Sequence, residues 1–385
     1  MSNSLALRRR TFLNFGLLGA AVSAALPVKA FAQAPANVSF IAPTADNPIR
    51  INFNENALGM SPSAQAAARD AVAKGNRYAK AEITQLHTKL CDMYNVPKNF
   101  LLLTDGSSEG IRALLGAYSR LPKVQLVIPE LTYGDGEHFA NLYNVPVVKV
   151  PMLADWKGDV AGLKKAVDGF DGFSIVYFVN PNNPTSTVTP ASEIELWVKS
   201  KPDNTLFIAD EAYAEYVSDP NFKSMANLIQ DGLDNVVLLK TFSKLYAMAG
   251  MRVGFAVGAP AIIKMMKDQV AGEKLNYPGV TAALVSLDDE PFQEYSRASN
   301  LESRKILASC FDKLGVKYLP SSTNFMFFEL NEPIHAFQKK MAARNILVGR
   351  PFPPAMTWCR ISLGTPQEMA YVANELTKMR AEGVF

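Results

Sequence analysis

Cysteine is scarce in this chain: Cys91, Cys310 and Cys359 are the only three in 385 residues, and they lie far apart. An odd, scattered set excludes a disulfide framework and a cysteine-based metal cluster, and each thiol reads as a small buried hydrophobe. Charge of one sign is missing too. The formal net charge is +3, and no Lys/Arg run follows the first residues, so no nucleic-acid footprint is present. There is no internal repeat, linker or low-complexity segment. Long apolar runs are also lacking. The one near the N-terminus, residues 15–26, is too short to span a bilayer comfortably, so no permanent membrane anchor is expected.

What surrounds that run is informative. Arg8-Arg9-Arg10 precedes it and Ala30-Phe31-Ala32 follows it. Basic region, short apolar core and small-residue cleavage site, in that order, describe a signal peptide. Arg9-Arg10-Thr11-Phe12-Leu13 resembles a twin-arginine export signal, with cleavage after Ala32 and a periplasmic mature protein as the expectation. About 350 residues then remain, enough for one large domain and a smaller one.

Residues 33–60 lack periodicity and read as an N-terminal arm. Over 61–280, short apolar runs alternate with helical patterns. The runs are 100–104, 124–128, 145–150, 174–179, 205–209 and 236–239. That alternation predicts an α/β fold, a mostly parallel sheet with helices on both faces. Near Thr281 the texture changes to a long charged helix running past Arg304, then strand, helix, strand and helix, giving a smaller α+β C-terminal domain over 281–385. Ligands in open α/β sheets sit at the carboxyl ends of strands, so residues just after each run carry the functional reading.

One run ends in Thr241-Phe242-Ser243-Lys244, with Arg252 shortly after. Two hydroxyls and a guanidinium at a strand-to-helix turn would hold a phosphate and leave the Lys244 amine for Schiff-base chemistry; a solvated lysine after a capping serine is the plain alternative. Another run leads into Asp210-Glu211-Ala212-Tyr213, where a carboxylate can keep a ring nitrogen protonated or simply cap a helix. Asn183 lies in a turn made rigid by Pro181 and Pro184. Gly106-Ser107-Ser108-Glu109 opens a helix, as an anion site or as ordinary capping. Tyr133 can stack on a planar ring or pack in a core. Arg350, in the string Val348-Gly349-Arg350-Pro351, can meet an acidic group or form a surface ion pair. His87 and His138 sit in helical patterns and read as structural.

As a set these strings resemble the fold-type-I, pyridoxal-phosphate-dependent class I/II aminotransferases, on their histidinol-phosphate aminotransferase branch. The resemblance runs from Asn52 to the C-terminus and adds Asn54-Glu55-Asn56, Asn76-Arg77-Tyr78 and Arg360-Ile361-Ser362-Leu363-Gly364. It implies that Lys244 carries the cofactor as a Schiff base and serves as the general base. It also implies that Asp210 pairs with the ring nitrogen, Asn183 and Tyr213 with the phenolic oxygen, and that Tyr133 stacks. Ser107, Ser108, Thr241, Ser243 and Arg252 would hold the phosphate, joined by Tyr78 from the other subunit of a homodimer. Arg360, with Asn56 and Asn324 nearby, would take the substrate, its guanidinium suited to a carboxylate. Two departures stand out: Ser186 replaces the glycine of Asn-Pro-Thr-Gly, and Ala79 replaces proline after Tyr78.

The implied activity is a ping-pong exchange of an amino group between a small-molecule amino donor and a 2-oxo acid acceptor. Oxygen-dependent oxidation, or other carbanion chemistry at the same site, remains open. Ser243 replaces the histidine that precedes the lysine in many related decarboxylases. A non-enzymatic cofactor-binding regulator would carry an N-terminal DNA-binding helix-turn-helix, where this chain has its leader.

Overall fold

The computed structural model describes residues 40–385, so the expected signal peptide and the first part of the arm lie outside the described residues. In chain order the strands are β1 (Ile49–Ile51), β2 (Leu101–Thr104), β3 (Val124–Pro129), β4 (Val147–Val150), β5 (Phe173–Val179), β6 (Thr205–Asp210), β7 (Val236–Thr241), β8 (Gly254–Gly258), β9 (Phe325–Glu329), β10 (Ile346–Val348) and β11 (Trp358–Ser362). All six apolar runs expected to be strands are strands. Seven strands form one sheet in the order β2-β8-β7-β6-β5-β3-β4. Only β8 runs against its neighbours; every other adjacent pair is parallel.

Burial on both faces explains why these strands read as unbroken apolar runs rather than alternating ones. Val127, Val176, Phe178, Phe207 and Leu238 face one core, while Leu126, Ile175, Tyr177, Ile208 and Leu239 face the other. Each Val, Leu, Ile or Phe among them contributes about 1.5–3 kcal/mol by leaving water. The parallel strands therefore form a stiff floor, and their carboxyl ends share one edge.

The smaller domain differs from expectation at both of its boundaries. β1 pairs in parallel with β10, and Ile49 and Ile51 enter the same core as Leu307, Phe337, Ile346 and Ile361. The stretch expected to be an arm thus supplies a strand to the C-terminal unit. The expected long helix near Thr281 is two helices, Tyr277–Asp288 and Glu290–Leu314. Asp289 caps the second by accepting from the Phe292 N–H, and Pro291 occupies its first turn, which stops the first helix from continuing. Val280, Ala282 and Ala283 of the first helix pack in the large-domain core, moving the boundary from 280 to the Asp288–Asp289 turn.

Two contacts tie the domains beside the carboxyl edge. The Trp156 ring lies 4.8 Å from that of Trp358. Ser186 adopts φ 63°, a left-handed backbone that favours glycine. Its hydroxyl sits 3.0 Å from Ser321 Oγ and 2.6 Å from Thr323 Oγ1, and it accepts the Ser322 N–H at 3.1 Å. The serine thus keeps the turn geometry that a glycine would allow and adds a link between domains. Ser186→Ala should retain the backbone strain and lose those bonds. The expected cost is about 1–2 kcal/mol, read as a lower urea midpoint with an unchanged slope.

Candidate active site

Loops leaving β3, β5, β6 and β7 converge with residues of β11 around a cavity of about 400 Å³. Ser107, Ser108, Tyr133, Asn183, Asp210, Tyr213, Thr241, Ser243, Lys244, Arg252 and Arg360 all line it. The side chains selected from separate strand ends therefore meet in one place.

One end of the cavity is built for an anion. The helix Ser107–Tyr118 starts at Gly106 without a side-chain cap, so its first N–H groups face the cavity edge together with the Ser107 and Ser108 hydroxyls. Arg252, itself at φ 54°, reaches across and donates to the Asp105 carbonyl at 2.9 Å and to the Ala249 carbonyl at 3.0 Å. Gly106 has φ 83°, a left-handed backbone that favours glycine, and a Cβ there would lie 2.5 Å from Arg252 Nη2, so the guanidinium would have to shift. Thr241 Oγ1 donates to Ser243 Oγ at 2.9 Å beside it. Cation, hydroxyls and uncapped N–H groups together fit a phosphate monoester.

The middle of the cavity holds Asp210, Tyr213 and Lys244. Asp210 is 2% exposed. Burial raises its carboxyl to about 6, opposed by bonds from the Tyr177 hydroxyl (2.8 Å) and the Ala212 N–H (3.1 Å). The Tyr213 hydroxyl accepts amide bonds from Asn54 at 3.2 Å and Asn183 at 3.4 Å. Lys244 Nζ donates to the Asn54 carbonyl at 3.1 Å and lies 5.6 Å from the Tyr213 ring centre.

The far end is dominated by Arg360. Its guanidinium donates to Asn183 Oδ1 and to the Asn52 carbonyl, both at 2.8 Å, and its Nε is buried without a partner. The Phe352 and Phe325 rings lie 4.9 and 5.6 Å away. Burial, with Arg350 also nearby, pulls the guanidinium down to about 10. Among the described residues, the hydrogen-bond partners of Arg360, Arg350, Arg252 and Lys244 are carbonyl and amide oxygens rather than carboxylates. A buried guanidinium in that state is costly, and an incoming anion relieves the cost.

Several expectations are corrected. No α-helix follows Lys244; the chain continues as a loop to the short 3-10 turn Ala249–Met251, so the helix N-terminus at the anion end belongs to Ser107–Tyr118. Asn56 does not face the cavity. Its amide donates to the Lys244 and Leu245 carbonyls (3.3 and 3.0 Å) and to Ser296 Oγ (2.7 Å), so it fixes the lysine loop rather than a substrate. Asn324 likewise donates to the carbonyls of Asn54 and Glu55, at 3.1 and 3.2 Å, and positions that strap. Ser108, by contrast, does line the anion end, where its hydroxyl donates to Asp135 Oδ2 at 2.5 Å. Tyr78, expected to serve the site of a second subunit, is no correction: it is 70% exposed and outside its own chain's cavity. Sequence reading singled out neither Asn54 nor Gln338 as a site residue; the Asn54-Glu55-Asn56 string was the available signal for the first.

A family model for aminotransferases of class I and II matches residues 46–376. The chain belongs to that family. A histidinol-phosphate aminotransferase from Symbiobacterium thermophilum is 34% identical over 340 residues, 87% of this chain and 91% of that protein. A crystal structure from Erwinia carotovora atroseptica SCRI1043, provisionally named a histidinol-phosphate aminotransferase, is 57% identical with a TM-score of 0.89, covering 90% of this chain and all of that one. The Sinorhizobium meliloti histidinol-phosphate aminotransferase, solved with pyridoxal 5′-phosphate, shares the fold at 24% identity and a TM-score of 0.79 over 89% of this chain and 95% of its own. The chain is thus an aminotransferase, built on an α/β fold with a mostly parallel sheet.

Asp210 gives this aminotransferase a distinct pH signature. Its folded value of about 6 lies above the ordinary 3.8. Its contribution to stability is therefore fully present below pH 3.8 and lost as pH rises through about 6. Asp210→Asn lacks that ionisation. Ligand-free wild type should lose on the order of 3 kcal/mol relative to the variant between about pH 4 and pH 7. Denaturant melts at a series of pH values measure this; a constant difference contradicts it.

Proposed function

We propose that this chain is a pyridoxal-phosphate-dependent aminotransferase whose amino donors carry a second anionic group besides the one bound at Arg360. The observation that carries the reading is the buried, carboxylate-free Arg360 lining the same cavity as the Lys244 amine. The anion end fits the cofactor's phosphate through Arg252, Thr241, Ser243, Ser107 and Ser108, with Tyr133 beside the ring. When bound, the cofactor supplies an electron sink that acidifies the donor's α-proton.

The protein's own groups do the rest. Asp210 would hold a proton at the ring nitrogen, and the Tyr213 hydroxyl and the Asn183 amide would bind the phenolic oxygen. Lys244 is the amine placed to carry the cofactor and to move the proton at the donor's α-carbon. Arg360 takes the α-carboxylate in a bidentate grip, and the aromatic rings flanking it keep water away. Arg350, 4.4 Å from the Phe352 ring and lining the same cavity, is the candidate for the second anion. A second copy of the chain belongs to this reading. Tyr78 and Phe53 are 70% and 69% exposed, Phe53 lines the cavity, and a partner in a homodimer would cover them.

A panel of amino donors read by loss of the bound cofactor's visible absorbance tests this. Lys244→Ala should lose transamination by several orders of magnitude. Arg350→Gln should raise KM about tenfold or more for acidic or phosphorylated donors and leave neutral donors unchanged, the size of one charge-assisted bond. Equal kcat/KM for neutral and doubly anionic donors in the wild-type protein would exclude the proposed donor class.

A further inference from the structure

We propose that Tyr177 is a positioning residue for the cofactor's ring-nitrogen partner: its hydroxyl, 2.8 Å from Asp210 Oδ2, keeps that carboxylate ionised and fixed in orientation. The proposal rests on the reading that the cavity takes a pyridine cofactor.

Tyr177 lies on β5 and is wholly buried, one strand away from Asp210 at the end of β6. Its ring has reserved space. A Cβ on Gly136, in the helix Asp135–Leu142, would come within 2.6 Å of Tyr177 Cδ1. Phenylalanine would fill that space equally well, so packing calls for the ring and not for the oxygen. Among the described residues Asp210 is the one hydrogen-bond partner of that oxygen. A buried hydroxyl with a single acceptor marks that acceptor as its purpose.

Asp210 needs such a donor. Among the described residues its Oδ1 accepts from the Ala212 N–H and its Oδ2 from Tyr177 alone. Of the charged groups around it, Lys240 on β7 favours the ionised form but is engaged by Glu215 Oε1 at 2.6 Å and by the Glu211 carbonyl at 3.1 Å. Asp135, on the helix packed over the same face, opposes ionisation. Lys244, Tyr213 and Tyr133 share the cavity. Tyr177 is therefore the side-chain donor in direct contact, and burial keeps its phenol protonated far above neutral pH. It stays a donor wherever the enzyme works.

Tyr177→Phe separates this role from packing, because the ring remains. Cofactor-free wild type and variant are titrated across pH with pyridoxal phosphate, then with a carbocyclic analogue that has C–H in place of the ring nitrogen. The variant should bind pyridoxal phosphate about tenfold more weakly near neutral pH. The acid limb of its binding curve should move up by about one pH unit, the worth of one hydrogen bond to a charged group. The analogue should bind both proteins equally. Unchanged affinity and acid limb would overturn the proposal, as would an equal loss for both ligands, which would mean packing alone. A wild-type protein that takes up no pyridoxal phosphate overturns the cofactor reading and the proposal with it, a result distinct from the other two.

Discussion

A buried guanidinium without a carboxylate is the constraint around which the site is organised. Arg360 sits on β11 of the small domain, yet its hydrogen bonds reach Asn183 in the large domain and the Asn52 backbone at the end of β1. Each contact needs its own support. Asn183 needs the turn between Pro181 and Pro184, and Asn52 needs the β1–β10 pairing that anchors its strap. Ser186, three residues past Asn183, bonds to the loop that leads into β9, and β9 pairs with β11 across Arg360 and Phe327. The cation thus reports on whether both domains are in place.

Much of this was legible because parallel strands buried on both faces leave a plain mark. Their apolar runs locate the strands, and the polar residues that end each run locate the site. Lys244, Asp210 and Asn183 were found this way from sequence, and the cavity contains all three. Features that depend on distant pairing were not legible. β1 is three residues long and is a strand because β10, almost three hundred residues later, lies beside it. β8 is a short apolar run bounded by two glycines, with no helix setting it apart from β7. Neither carries enough local periodicity to be recognised alone.

Polar residues show the same division in a sharper form. Asn56 and Asn324 belong to strings that look like site residues, and they do lie near the site. Their amide N–H groups, however, donate to backbone carbonyls, which makes them supports of the Lys244 loop and of the Asn54 strap. Tyr177 shows the reverse. Inside an apolar strand run it reads as packing, and only the cross-strand geometry brings its hydroxyl to Asp210. Residue type tells which hydrogen bonds are available; the fold decides which are made.

Two lysines at the end of β7 show how the fold selects among equivalent side chains. Lys240 and Lys244 are four residues apart, and composition offers no reason to prefer one. Lys240 is buried against the Glu215 carboxylate and the Glu211 carbonyl; burial opposes its charged form, but the negative charges of Glu215 and Glu211 outweigh that and raise its affinity for its proton. That pairing removes it from chemistry. The carboxyl of Glu211 is turned to Ser224 and the Met225 N–H, away from the cavity, while its neighbour Asp210 is turned inward. One carboxylate therefore enters the cavity wall and one faces the opposite core. Among the described residues, the hydrogen-bond partner left to the Lys244 amine is the Asn54 carbonyl. The nearby carboxylates engage Lys240 instead, so the Lys244 amine lines the cavity free of a carboxylate partner among the described residues, where it can act as a nucleophile.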